Sequence, residues 1–462
     1  MKQEKIVIVG AGVAGVNAAT KLVDNGYDGS RITIIDMGND PYKRKPEEVM
    51  TGFMGAGGWS DGKLTYHTSI GGHMSKYCGD EKAMELMDQV IINFKRFHPK
   101  PEEVQCSNPV AEPNFIKPYF GLRLFPVWHV GTDYLHEIGK NWYNYLCDKG
   151  VKFIWNTKVT SIDFEMDYVV ADRKYFYDRL IFAVGKSGID FGKHLIESGN
   201  HDTEPKPVQV GVRFEAPQKH FQKLIDVSYD FKLYRKFEDK GVSLRSFCTN
   251  NNAAYVALEE TYGDYSYNGH AKKDEAYRND MTNFGILMEV QGIDKPFDWS
   301  RELVSKVNKV EIVPGEGYSG KKAQGRFQAK YKAGLYYSPW KNEEEGTINR
   351  LKSKTSEGDW VKAHYITEKG LQEVRDHFQG YFKYIEDFIE DMKKVFPTLG
   401  DDWGMYIPEV KYLSPEPLVN YEDLSLNKVP NVHFVGDALS ARGITVSGAQ
   451  GTYVAENILK IN

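Results

Sequence analysis

Residues 5–15 read KIVIVGAGVAG, an apolar, β-branched run that passes directly into three closely spaced glycines. After Lys5 the run has no polar residue, the pattern of a strand buried on both faces. Gly10, Gly12 and Gly15 fit G-x-G-x-x-G, with Ala19 and Gly26 beyond them, and a second strand, Arg31 to Ile35, closes on Asp36. In a strand–turn–helix of this kind Gly10 makes the turn, Gly12 admits a pyrophosphate against backbone, and Gly15 lets helix and strand pack closely. The helix start at Val13 and Ala14 offers free N–H groups and its positive dipole end to phosphates. Asp36, with Met37 beside it, is placed at the strand tip to accept hydrogen bonds from a ribose 2′-OH. The expectation is a Rossmann-like α/β dinucleotide-binding domain.

Later segments decide which dinucleotide. Near the end stands NVHFVGDALSARGITVSGAQGTYVAENIL, where a strand over Val432 to Val435 runs into Gly436 and Asp437, then a loop, then a helix from about Ser447. The segment resembles two-motif flavoproteins, in which a strand ending in Gly-Asp brings a carboxylate to the ribityl hydroxyls, and a nicotinamide dinucleotide has no ribityl chain to recognise. The glycine-rich helix start at Gly443, Ile444 and Ser447 is then aimed at the flavin pyrimidine edge, where its positive end would stabilise charge on the reduced ring. Between the two anchors, YDRLIFAVGKSG at 177–188 reads as a buried strand, Leu180 to Val184, closing on Gly185. Ala183, Val184 and Gly185 form the turn expected to pass close to the cofactor. VKFIWNTKVTSIDF reads as two strands around Asn156 and Thr157, with Val159 where adenine is commonly held. The implied cofactor is FAD.

A chain of 462 residues is too long for one ordinary core, so two intertwined domains are expected. Residues 1–185 plus 401–462 would form a discontinuous FAD-binding domain, and 186–400 an inserted, mainly antiparallel-sheet substrate or cap domain. VSLRSFCT and AAYVALEE flank Asn250, Asn251 and Asn252, which read as a polar turn between two period-two runs. TNFGILMEV and VQVGVRFEA add two strands to a sheet expected to cover the flavin and form a substrate chamber. Ile385, Phe388, Ile389, Met392 and Phe396 recur at helical spacing over Tyr381 to Phe396, as do Met87, Val90, Ile91 and Phe94 earlier. Both stripes read as core.

Net charge is −5 with acids and bases interspersed, so no nucleic-acid surface is visible, and Lys43, Arg44 and Lys45 read as a solvated loop. Cys78, Cys106, Cys147 and Cys248 form no CxxC or zinc pattern, so no metal site is expected and a reducing, cytoplasmic setting is the simplest reading. No run approaches the ~20 apolar residues of a membrane span, and a strand starting at residue 5 leads us to expect no signal or transit peptide.

The stretch GFMGAGGWSDGKLTYHTSIGG, 52–72, resembles the G-G-A-G-x-F-S-D-G-K-L signature of the uncharacterised FAD-dependent dehydrogenases, flavoproteins related to the glutathione-reductase-2 type. The likeness continues through IGGHMSKYCGDE, HVGTDYL at 129–135, VQVGVRFEAP, LRSFCTN, NGHA, TNFGILMEV and the C-terminal GDALSARG, and so covers nearly the whole chain. Trp59 stands where the family has phenylalanine, Val184 replaces the usual threonine, and KKAQGRF at 321–327 matches the family's basic region only loosely. The resemblance implies a flavin-binding loop in which Gly57 and Gly58 let backbone lie against a ring or phosphate. Trp59, Ser60, Lys63 and Leu64 would flank the cofactor. Related thiol-disulfide reductases carry a redox cysteine pair near this place, which this chain lacks.

Catalytic residues are less defined. Arg213 and Arg245 fall within strands of the inserted sheet, where an arginine needs a carboxylate, either of a substrate or of an internal acid. His67 and His129 adjoin glycine-rich family segments, Lys63 is placed to meet pyrophosphate charge or flavin N5, and Arg442 to meet substrate or flavin O2. Hydride transfer to flavin requires no protein nucleophile. The leading expectation is an FAD-dependent dehydrogenase or reductase acting on a small organic substrate. A flavin oxidase of an amine or amino acid, and a non-catalytic binding protein on a flavoprotein scaffold, remain alternatives. No second G-x-G-x-x-G is present to hold a nicotinamide donor.

Overall fold

The computed structural model describes residues 3–45, 48–110, 113–204, 206–310, 334–339, 363–366, 368–413 and 415–461, so KKAQGRF lies outside the described residues. The chain forms two compact units, Met1–Ser107, Pro126–Lys206 and Leu413–Asn462 in the first, Asn108–Phe125 and Pro207–Tyr412 in the second.

The first unit is built on β1 (Ile6–Val9), whose four residues are at most 4% exposed, as an uninterrupted apolar run requires. It pairs in parallel with β2 (Ile32–Ile35) on one side, Ile6 opposite Ile32, and on the other with the strand Arg179–Phe182, Ile6 opposite Arg179. Lys152–Ile154 extends the sheet beyond β2, and Val429–Phe434 then Ser425–Leu426 extend it beyond Arg179–Phe182. This is the Rossmann-like α/β arrangement that the opening motif predicts. Among its helices are α1 (Val13–Asp24), α2 (Ser75–Phe97), α3 (Leu135–Asp148) and α4 (Ile444–Ile461). Met87, Val90, Ile91 and Phe94 of α2 are buried as their spacing predicts, with Phe94 edge-on to Trp142 of α3 at 5.4 Å. Small residues set how closely α4 lies to its neighbours. A Cβ at Gly451 would collide with Ala14 O of α1, and one at Gly448 would stand 2.7 Å from Val90 Cγ2 of α2.

The second unit holds an eight-stranded sheet in the order Ala363–Tyr365, Gly334–Tyr337, Gly404–Lys411, Val208–Pro217, Met281–Val290, Val242–Asn250, Lys232–Phe237 and Gly121–Arg123. All neighbours pair antiparallel except the first two. The helix Phe382–Val395 buries Ile385, Phe388, Ile389 and Met392 of the stripe read from sequence, Phe396 is buried at its C-terminal cap, and Phe388 meets Phe120 at 4.7 Å.

One expectation is corrected. The runs flanking Asn250–Asn252 are both strands, yet they do not form a hairpin with each other. Val242–Asn250 stays in the large sheet, whereas Ala254–Thr261 pairs with Asp264–Ala271 in a separate two-stranded sheet. A bulge between Phe247 and Asn250, with Cys248 at φ 52° and Asn252 at φ 66°, turns the chain out of the first sheet. Asn250 and Asn251 are buried, and Asn252 is half-buried: Asn251 Nδ2 donates to Tyr229 O at 2.7 Å and Thr282 Oγ1 to Asn251 Oδ1 at 2.6 Å. The true hairpin turns at Tyr262 and Gly263, both at positive φ as a two-residue primed turn demands.

Candidate cofactor site

In the first unit the glycine turn has no room for side chains. Gly10 sits at φ 109°, and a Cβ there would collide with Ala183 O; one at Gly15 would collide with Gly10 O and stand 2.9 Å from Ile8 Cγ2. Gly12 precedes α1 in extended conformation, and Val16 N donates back to Gly12 O at 3.0 Å. The N–H groups of the first turn of α1 therefore start directly behind the turn, the arrangement that suits a phosphate.

Asp36 ends β2, and its carboxylate is held by main-chain donors. Oδ2 accepts from Ala11 N at 2.8 Å, and Oδ1 from Gly38 N at 2.7 Å and Gly52 N at 2.9 Å. The acid thus ties the glycine turn to the loop around Gly52. Met37 beside it is 39% exposed, and Val159 is buried.

The loop continues onto the glycine turn. Met54 N donates to Ala11 O at 2.7 Å, a Cβ at Gly55 would stand 3.3 Å from Gly12 Cα, and one at Gly57 would collide with Val13 Cγ2. Gly57 also lies near Ile444 of α4, 3.5 Å from its Cγ1 by the same measure. Ser60 Oγ donates to Gly57 O at 3.1 Å and accepts from Gly62 N at 3.1 Å, closing the loop on itself. Leu64 is buried and Trp59 half-buried.

The C-terminal segment arrives at the same place. Gly436 sits at φ 70° with its N–H donating to Gln450 Oε1 at 2.8 Å, and a Cβ there would stand 3.3 Å from Ala14 Cβ. Asp437 faces the turn after Val184: a Cβ at Gly185 would stand 4.0 Å from its Oδ2. Its Oδ1 lies 2.7 Å from Arg442 Nη1. Arg442 Nε and Nη2 are buried and have no acceptor among the described residues, and its main-chain N–H donates to Gly71 O. Two orphaned donors of a fixed cation, beside a carboxylate and a glycine cradle, fit a ligand rich in carbonyl and hydroxyl oxygens, as FAD is. Helix α4 begins at Ile444, three residues before the expected Ser447, because Gly443 at φ 100° lets the chain turn into it early. Ser447 N is consequently spent on Gly443 O at 3.1 Å.

The remaining candidates divide. Lys63 is buried on the strand Lys63–Thr65, its Nζ 3.1 Å from Asp61 Oδ2. Opposite it in the ladder is His129, whose Nε2 lies 2.8 Å from Asp61 O, so Asp61 gathers both. His67 is exposed, its Nδ1 2.9 Å from Ser69 Oγ. Arg213, in the second unit, is fully buried and has an internal acid as partner. Its Nη2 lies 2.5 Å from Glu409 Oε1 and 3.3 Å from Asn268 Oδ1, and its Nη1 donates to Cys248 O at 2.9 Å. Arg245 donates to Gln209 Oε1 at 3.0 Å, and burial lowers its pKa against the pull of Glu289. Arg44 is a correction. Expected in a solvated loop, it is only 9% exposed, because four main-chain carbonyls surround its guanidinium. Main-chain partners leave no sequence signature, so the flanking lysines hid it.

No disulfide joins any of the four cysteines, and burial raises the Cys78 thiol to about 11. No metal-binding cluster occurs among the described residues, nor any helix long and apolar enough to cross a membrane.

Residues 4–204 match the pyridine nucleotide-disulphide oxidoreductase family. The matched stretch holds the glycine turn, Asp36, the 52–64 loop and the Ala183–Gly185 turn, and it agrees with the sequence resemblance on an oxidoreductase family. No match is found among curated proteins. Among solved structures, the chain is similar to glycine oxidase from Bacillus cereus ATCC 14579, with 11% identity, TM-score 0.40 and coverage of 100% of this chain and 96% of that one. It is similar also to L-proline dehydrogenase from P. horikoshii, at 12% identity and TM-score 0.40, covering 100% and 94%. The flavin-dependent halogenase CmlS aligns at 14% identity and TM-score 0.38, and there all of this chain spans only 59% of that protein's length.

Proposed function

We propose that the protein is an FAD-dependent oxidoreductase, a dehydrogenase or reductase that moves a hydride between bound flavin and a small organic substrate. The observation that carries this reading is the meeting of Gly436 with Ala14, and of Asp437 with Gly185, in the first unit. A carboxylate suited to a ribityl chain lies beside a turn suited to a pyrophosphate. When bound, FAD supplies the hydride-accepting centre, so the chain's own part is to hold and orient it. Gly12 and the first turn of α1 would take the pyrophosphate, Asp36 the adenosine ribose, Asp437 the ribityl hydroxyls, and Arg442 an acceptor oxygen near the pyrimidine. With no disulfide among the four cysteines, electrons need not pass through an internal disulfide. Cysteines without disulfides also suit the reducing cytoplasm.

The test is anaerobic purification, a visible spectrum after loading with FAD, and a screen of small amines, amino acids and hydroxy acids for bleaching of the flavin bands. Bleaching by one substrate class, followed by slow reoxidation in air, is the expected result. Fast reoxidation with stoichiometric peroxide would transfer the protein to the oxidases. Failure to take up FAD would leave a binding protein on a flavoprotein scaffold.

A further inference from the structure

Arg44 lies eight residues beyond Asp36, and all three nitrogens of its guanidinium donate to main chain. Nη1 donates to Phe53 O at 2.7 Å; Nη2 donates to Gly55 O at 2.7 Å and to Glu48 O and Val49 O at 2.9 Å each; Nε donates to Glu48 O at 3.1 Å. The plane also lies 5.6 Å from the Trp59 ring centroid, in cation–π range. Among the described residues no carboxylate takes a hydrogen bond from it, although Asp36 and Glu48 are near enough to oppose the lowering of its pKa by burial, which brings it to about 10.

The four carbonyls belong to the loop that runs onto the glycine turn. A trans peptide points its C=O and the following N–H in opposite directions. Holding Phe53 O therefore aims the Met54 N–H away from Arg44, where it meets Ala11 O at 2.7 Å. Met54 and Gly55 both sit at positive φ, 65° and 52°, a path that a methionine adopts only when its surroundings impose it. Gly58 leaves room for the arginine: a Cβ there would stand 2.8 Å from Nη1. One side chain thus binds the concave side of the loop, whose outer side meets Ala11, Gly12 and Val13.

We propose that Arg44 is the positioning residue of the cofactor site, a main-chain clamp that sets the 48–59 loop against the dinucleotide turn. The inference rests on the FAD reading above. A lysine in its place keeps the charge but cannot reach carbonyls spread over a planar fork, and an alanine leaves at least Phe53 O and Gly55 O buried without donors.

Arg44→Ala and Arg44→Lys variants of the full chain, loaded with FAD and followed by flavin fluorescence quenching, test this. Wild type binds FAD; Arg44→Ala weakens binding at least tenfold, Arg44→Lys by a smaller factor, and both shift the visible flavin bands. Tens of millimolar guanidinium chloride, far below denaturing levels, restore affinity and band position to Arg44→Ala, whereas potassium chloride at equal strength does not. A variant that binds FAD as wild type does overturns the proposal and leaves the FAD reading intact. So does weakened binding that guanidinium fails to restore in a variant with unchanged far-UV circular dichroism. If Arg44→Ala does not fold, Arg44→Lys decides alone, by its affinity and spectrum. Wild-type protein that takes up no FAD overturns both.

Discussion

Single side chains in this molecule are governed by what they displace from water. Glu409 is buried beside Arg213, its Oε2 has no partner among the described residues, and Gly285 opposite leaves just enough space for it. Burial raises its pKa to about 7, against the lowering pull of Arg213. The folded protein thus binds this proton more tightly than the unfolded chain, whose value is 4.5. Stability from this group is full below pH 4.5 and is lost as pH rises through 7, on the order of 3 kcal/mol in all. Urea titrations at several pH values should show that fall in wild type and a flatter profile in Glu409→Gln; equal slopes would remove Glu409 as the cause. At the candidate site, Asp437→Asn should weaken FAD binding about tenfold, the value of one charge-assisted hydrogen bond, measured by quenching titration. Asp36 and Asp437 are legible in the sequence because strands end on them. The carbonyls around Arg44 and the pairing of Asp61 with Lys63 are not, because spacing says nothing of which groups a loop folds inward.

Secondary elements show the same division. The strand Ile6–Val9 and the turn after it could be read directly, since a run buried on both faces and a Cβ-free turn each permit few residue types. The stripe on Phe382–Val395 was equally plain. The sheet change after Asn250 was not, because it depends on positive φ at Cys248, a residue with no intrinsic preference for it. Helix α4 is the most sensitive element. Gly451 lies in van der Waals contact range of the α1 backbone, and a methyl group there must push the helices apart. Gly451→Ala should cost about 2 kcal/mol or more, read as a lowered denaturation midpoint, with FAD affinity falling alongside because Ala14 shifts. Gly263→Ala, at an exposed hairpin turn where the added Cβ would meet nothing within 4 Å, should cost about 1 kcal/mol from its backbone conformation alone. A larger loss at 263 than at 451 would contradict this ranking.

For the whole molecule, the residues proposed to hold FAD all belong to the first unit. Loading with FAD at a hundred times its dissociation constant should stabilise that unit by about 2.7 kcal/mol, seen in calorimetry as an upward shift of one transition. No shift at saturating FAD would count against the cofactor assignment. The same unit is drawn from three separate stretches of chain, Met1–Ser107, Pro126–Lys206 and Leu413–Asn462, with Pro207–Tyr412 between the last two. A ribosome needs roughly 10–40 s to add those intervening residues at ordinary elongation rates. Throughout that interval the strand Arg179–Phe182 lacks its partner Val429–Phe434, and α1 lacks helix α4, which later packs against it. The first unit therefore closes only after Leu413–Asn462 is made, and until then the apolar faces that this stretch covers stay bare.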